Sequence, residues 1–177
     1  MDFLQLVQQR ESCRAYTDRP VEREKIESCI EAARLAPSAC DSQPWSFLVV
    51  TKPETVAALR PCVQEMHMNR FADTCGTFIV VLEEKSNLSA RIGALVKDAD
   101  FASIDIGIAT THICYEATSL GLSTCILGWM NEKKIKSLLE IDPAKRVRLV
   151  LCLGYATDAP LREKKRKTTD EIVTYLD

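Results

Sequence analysis

The chain has 177 residues, 46% of them hydrophobic and 27% charged, which suits one soluble domain, or two tightly merged lobes, and excludes wholesale disorder. With 23 Lys and Arg against 25 Asp and Glu, the net charge is −2, so a whole-protein basic footprint for nucleic acid is absent and only a local positive patch could bind an anion. No apolar run approaches the ~18–20 residues of a membrane span, and the N-terminus has no basic region followed by an apolar stretch, so neither a membrane segment nor a secretory leader is expected.

In chain order, residues 2–9 place Phe3, Leu6 and Val7 at helical spacing behind Asp2, an N-cap candidate. Residues 21–35 repeat the pattern with Ile26, Cys29, Ile30 and Ala33, and Glu22 and Glu24 suit the positive end of that helix. Residues 46–51 read as a buried strand stopped before Pro53, 54–65 as a helix, and 77–82 as a second strand. Residues 98–120 form the longest helical candidate. Its apolar side chains (Phe101, Ile104, Ile106, Ile108, Ile113, Tyr115, Leu120) wrap most of the circumference, so it must be covered on several sides, and a chain of this size predicts a dimer interface there. Gly121 suits a helix stop, 123–127 a short strand, 131–140 a helix capped by Asn131, and 147–153 a clear strand closed by Gly154. The polar stretch 155–177 carries Lys164-Lys165-Arg166-Lys167, and Glu171 to Leu176 reads as a short helix or an extension. The pattern is a helix-covered sheet, without strand order.

The eight cysteines, at 13, 29, 40, 62, 75, 114, 125 and 152, contain no CxxC pair, which weakens zinc and thioredoxin-like readings. Free, mostly buried thiols in a reducing cytoplasm are expected. His67 and His112 lie in no HExxH motif and there is no GxSxG, so neither a catalytic metal nor a Ser–His nucleophile is indicated.

Four segments carry candidate chemistry. Arg10, Ser12 and Arg14 have period two and, if extended, present two guanidinium forks and a hydroxyl on one side; a solvated charged turn is the competing reading. The segment 36–45, APSACDSQPW, is fixed by two prolines and offers Ser38, Ser42 and Gln43, as a ligand loop or as a helix-to-strand connector plugged by Trp45. The segment 121–129, GLSTCILGW, permits close backbone approach to a flat ligand, or is a helix cap and strand; it is not GxGxxG. The basic run 164–167 is a solvated tail, or a phosphate clamp if it folds back to Arg10.

Taken together, QRESCRAY (9–16), PV (20–21), APSACDSQPWSFLVV (36–50), GLSTCILGWMNEKKIKSLLEI (121–141), LCLGYA (151–156) and KKRKTTDEIV (164–173) resemble the nitroreductase family of FMN-dependent oxidoreductases over nearly the whole chain. The resemblance implies an α+β, three-layer fold with a mainly antiparallel sheet flanked by helices. It implies one domain over 1–177 whose C-terminal extension, about 156–177, reaches the partner of an intertwined homodimer. Two FMN sites would lie at the interface. Arg10, Lys164 and Arg166 would bind the FMN phosphate, Ser12 the ribityl–phosphate arm, and Arg14 and Arg70 would lie by the pyrimidine edge. Pro37, Ser38, Ala39 and Asp41 would reach FMN from the second subunit. The backbone of Cys125, Leu127 and Gly128 would run beside the ring, with the Leu127 or Gly128 amide near N5.

No side chain is implied as nucleophile, and no metal is implied. NAD(P)H would be the co-substrate and a nitroaromatic, quinone or similar small molecule the acceptor, in a ping-pong cycle. Dehalogenation, azoline oxidation, flavin fragmentation or a non-enzymatic flavin carrier are the alternatives on the same scaffold. The sequence departs from the family pattern at Asp41, where Asn is common, at Ser123, which stands for a second Gly, and at Leu127, where some relatives have Glu. The chain is also short, which leaves 84–99 as the expected wall of the flavin site.

Overall fold

The computed structural model describes residues 2–158 and 160–176; Met1, Ala159 and Asp177 of the expected domain and tail lie outside the described residues. Strands β1 Trp45–Val50, β2 Thr77–Glu83, β3 Ser123–Leu127 and β4 Arg146–Gly154 form one antiparallel sheet in the order β1-β2-β4-β3. The helices are α1 Phe3–Gln9, α2 Arg23–Arg34, α3 Pro53–Val63, α4 Leu88–Lys97, α5 Phe101–Ser119, α6 Glu132–Leu138 and α7 Thr169–Ile172.

The two central strands are apolar at successive positions because both sheet faces are covered. Alternate side chains of a strand point to opposite faces. Phe78, Val80 and Leu82 of β2 and Val150 and Cys152 of β4 therefore meet Val56, Leu59 and Val63 of α3 and Ile135 of α6. Their neighbours Ile79, Val81, Leu151 and Leu153 meet Ile26, Cys29 and Ala33 of α2 and Ile106, Ala109, Ile113 and Ala117 of α5. The molecule is thus α+β with helices, sheet and helices in three layers.

The long helix has two unlike sides. Asp105, Ile106, Ala109, Thr110, Ile113, Cys114 and Ala117 are buried within the chain. On the opposite side Ile104 is exposed, and Ile108, His112 and Tyr115 are half-buried. Phe3 of α1 meets Tyr115 edge-on, with ring centroids 5.3 Å apart, yet Phe3 stays 68% exposed.

Two elements differ from the pattern reading. The stretch 84–99 holds a helix of its own, α4, capped by the Asn87 side chain, which accepts from the Ala90 amide at 2.9 Å. Asp98, at φ 49°, ends α4, and Asp100 starts α5 by accepting from the Ser103 amide at 3.0 Å. Asp tolerates the left-handed region better than most residues. In the tail the helix starts two residues before the expected stretch, at Thr169–Ile172, with Thr168 and Glu171 capping it reciprocally, and Val173 is extended. Among the described residues no helix is long and apolar enough to cross a membrane. All eight cysteines are free thiols, and only Cys40 is exposed.

Candidate functional site

The segment after α1 is pinned to the sheet beyond β3. Ser12 pairs with Thr124 in parallel, and the Cys13 amide donates to the Thr124 carbonyl at 2.9 Å. Further on, Tyr16 pairs with Ala156 and the Thr17 amide donates to the Tyr155 carbonyl at 2.9 Å. Tyr16 lies on the end of β4, and its hydroxyl donates to the Cys13 carbonyl at 3.2 Å. Gly154 permits this stacking, since a Cβ there would stand 3.0 Å from Tyr16 Cδ1. Arg10, Ser12 and Arg14 are thereby fixed along the β3 edge.

The C-terminal tail folds back over the same segment. The Lys164 ammonium donates to the Gln8 carbonyl, and Arg162 donates to the Ser12 carbonyl and, at 3.3 Å, to the Glu11 carboxylate. Between tail and segment lies a cleft of about 280 Å³ lined by Arg10, Glu11, Ser12, Arg14, Arg162, Glu163, Lys164, Lys165 and Arg166. Its lining holds six cations against two carboxylates, and one of those two, Glu11, pairs with Arg162. A second recess of about 190 Å³ adjoins it at Arg14 and Arg162 and continues past Cys13, Ala15, Ala156 and Thr157. Guanidinium forks, ammonium groups and a hydroxyl make a donor set that fits a phosphate dianion and a hydroxylated arm. The donor chemistry thus fits FMN. The expected partners Arg10, Ser12, Arg14, Lys164 and Arg166 are all brought together, from opposite ends of one chain.

Beside the cleft, the Arg14 guanidinium stands 6.0 Å from the Phe71 ring centroid. Burial pushes the Cys125 thiol up to about 11, although the charges of Arg14 and Arg162 pull the other way. Burial likewise raises Cys13 and Cys114, the latter against the nearby charge of Arg10. These thiols are neutral at pH 7 and poor nucleophiles. Cys75 is held low by a hydrogen bond from the Cys152 thiol, whose own value rises, but both are buried. The Cys125 and Leu127 side chains are in the core, so only their backbone can meet a ligand, while Gly128 and Trp129 are exposed. Asn69 donates to the carbonyls of Trp129 and Val63, each at 3.0 Å, and holds the 69–71 stretch against the exit of β3. Arg70 is exposed and does not line the cleft; its neighbour Phe71 faces Arg14 instead.

Pro37, Ser38, Ala39 and Asp41 stand elsewhere. They precede β1, and the order β1-β2-β4-β3 puts that strand at the opposite sheet edge from the cleft. The loop is nevertheless highly ordered by contacts. The Ala39 amide donates to both oxygens of Asp105 at 3.1 Å, the Gln43 amide to Ser38 Oγ at 2.9 Å, and the Gln43 side chain to Asp41 at 2.9 Å. Cys40, Asp41 and Gln43 sit at φ 53°, 50° and 47°. Left-handed non-glycine residues cost on the order of 1–3 kcal/mol each and persist where surrounding contacts over-determine them, a pattern concentrated at functional sites.

Asp105, Asn87, Asn69 and Arg162 were not singled out by the sequence. Asp105 had a signal, an acid in an otherwise apolar helix, and Asn87 had another, an N-cap residue three positions before Ala90. Arg162 and Asn69 act through contacts that only the fold creates.

The Nitroreductase family model matches residues 7–68 and 63–155. A relative in Archaeoglobus fulgidus, provisionally named an NADH dehydrogenase/NAD(P)H nitroreductase, is 30% identical over 161 residues, which span 89% of this chain and 87% of the relative. The solved structure of an FMN-dependent nitroreductase from Clostridium difficile R20291 superposes with a TM-score of 0.74 at 26% identity, over 96% of this chain and 94% of that one. Iodotyrosine deiodinase 1 of Rattus norvegicus is 24% identical over 97% of this chain and 68% of its own length.

Proposed function

The chain belongs to the nitroreductase family, and from that premise we propose that it is an FMN-dependent oxidoreductase. It takes hydride from NAD(P)H and delivers it to a nitroaromatic, quinone or similar small acceptor, the two substrates using one site in turn. The observation that carries this reading is the convergence of Arg10, Arg14, Lys164 and Arg166 with Ser12 on one cleft at the β3 edge. FMN, when bound, supplies the redox chemistry by accepting a hydride and giving it up again.

The chain's own residues hold and tune. Arg10, Lys164 and Arg166 bind the phosphate through charge-assisted hydrogen bonds, and Ser12 binds the adjoining arm. Arg14, braced by Phe71, places positive charge toward the pyrimidine edge, where it favours electron uptake. The exposed backbone at Gly128 gives the ring a close, flat approach. The neutral, buried thiols take no part.

The loop with Pro37, Ser38, Ala39 and Asp41 serves the cleft of a second copy. A built, strained loop at the sheet edge away from its own chain's cleft, together with Ile104 of α5, left 57% exposed, supports a homodimer with a site at each subunit boundary. Purified protein titrated with FMN should turn yellow with one flavin per chain and bleach anaerobically with NADH or NADPH. Protein that takes up no flavin would overturn the reading. The deiodinase relative favours one second reaction, reductive dehalogenation. Halide release from an iodinated phenol, compared with turnover of nitroarenes and quinones by the same preparation, separates the two.

A further inference from the structure

We propose that Asn87 is a positioning residue that latches the 38–42 loop to helix α4, so that loop and helix reach the partner's cofactor cleft as one rigid piece. The inference rests on the reading above for its catalytic consequence, but its geometry stands by itself. Asn87 uses its side-chain amide, its side-chain oxygen and its backbone amide on this task. Its side-chain amide donates to the Cys40 carbonyl at 2.8 Å. Its side-chain oxygen accepts from the Ala90 amide at 2.9 Å and starts α4. Its backbone amide donates to Ser42 Oγ at 2.9 Å.

These bonds fall on the strained part of the loop. Cys40 and Asp41 are left-handed, and nothing in their side chains except the Asp41–Gln43 bond holds them there. Asp105, only 4% exposed, grips the Ala39 amide from α5. Asn87 grips the next carbonyl from α4. The loop is therefore clamped from two helices, and the Asn87 arm also fixes where α4 begins. Asp105 is part of the buried wall of the chain, whereas Asn87 is exposed, so its three hydrogen bonds at the surface are not needed to fill a core.

The other consequence concerns α4. Leu88, Ile92, Leu95 and Val96 form an apolar stripe at helical spacing, and Leu95 is 84% exposed. Any displacement of the loop is passed to this stripe through Asn87, because the same side chain holds both. Loop placement governs cofactor retention, and stripe placement governs how an apolar acceptor sits. A change at Asn87 thus alters flavin affinity and acceptor KM together, with little effect on the flavin reduction rate.

Two variants separate the latch from the cap. Asn87→Asp keeps an oxygen for the Ala90 amide but cannot donate to the Cys40 carbonyl; Asn87→Ala loses both. Hydrogen exchange is followed in the cofactor-free chain at the amides of Asp41, Ser42 and Gln43 and, as a control, at Ala90 and Arg91. In Asn87→Asp the loop amides should exchange about tenfold faster while the α4 amides are unchanged, and in Asn87→Ala both groups should speed up. With FMN present, Asn87→Asp should bind flavin about tenfold more weakly and raise the acceptor KM, with the anaerobic reduction rate by NAD(P)H kept. Loop exchange in Asn87→Asp equal to the parent chain overturns the latch. Faster loop exchange in a chain whose parent takes up no flavin keeps the latch and overturns the proposed function instead. Faster exchange with unaltered flavin affinity and KM overturns the coupling to the cleft.

Discussion

At the scale of single residues, positive charge is the currency of the cleft. Each charge-assisted hydrogen bond to a phosphate contributes about 1.5–3 kcal/mol, so Arg10→Ala should weaken FMN binding on the order of 10- to 100-fold in a fluorescence titration, with circular dichroism unchanged. Arg166→Ala should have a similar effect, and the double variant should lose less than the sum because both act on one dianion. Unchanged affinity in Arg10→Ala would remove Arg10 from the phosphate site. Arg10, Ser12, Arg14 and the 164–167 run were legible in the sequence because fixed charge and period-two spacing are properties of the residues themselves. The Arg162 contacts to Glu11 and Ser12 join positions 150 residues apart and exist only once the tail has folded back. Arg70 had the right charge for the site, but the turn Arg70–Thr74 turns Phe71, not Arg70, toward Arg14.

At the scale of elements, the cradle depends on how the 12–17 segment seats on β4. Adding a methyl at Gly154 crowds the Tyr16 ring, so Gly154→Ala should destabilise the fold by about 1–3 kcal/mol in urea unfolding and loosen flavin binding through Tyr16 and Cys13. A second contact ties α2 to the residue after β4. The Tyr155 hydroxyl donates to Glu22 and, with Arg19, holds the Glu22 carboxyl down to about 2. A depressed carboxyl stabilises the fold above its unfolded value near 4.3 and loses that contribution as the pH falls through about 2. Thermal melts of Tyr155→Phe should therefore fall below the parent at pH 6, with the gap narrowing between about pH 4.5 and 2. A gap that is constant with pH would assign the contact no role in acid stability. The strands were readable because β2 and β4 are apolar on both faces, and α5 because no polar stripe interrupts it. Helix α4 was not, because its apolar stripe faces outward and its inner face is the small residues Ala90, Gly93 and Ala94.

At the scale of the whole molecule, cleft and loop belong to opposite edges of one sheet, and the proposed function therefore requires two chains for a complete site. The proposed contact is the exposed side of α5: charges placed there, as in Ile104→Glu with Thr111→Glu, should give a monomer in sedimentation velocity that has lost most flavin affinity. A dimeric variant with intact affinity would place the contact elsewhere. The all-round apolar pattern of 98–120 made a long helix packed on the sheet legible, whereas the edge-to-edge separation of loop and cleft was invisible until strand order was known. The central claim, one site from two chains, is tested most directly by complementation. Arg10→Glu damages only the cleft and Ser38→Trp only the loop, and each variant by itself should bind almost no FMN. Unfolded together in equal amounts and refolded, half of the dimers are mixed and each carries one undamaged site, so flavin uptake should return to about a quarter of the parent level. No recovery in a mixture shown to contain mixed dimers would contradict the account and place cleft and loop in the same subunit's site.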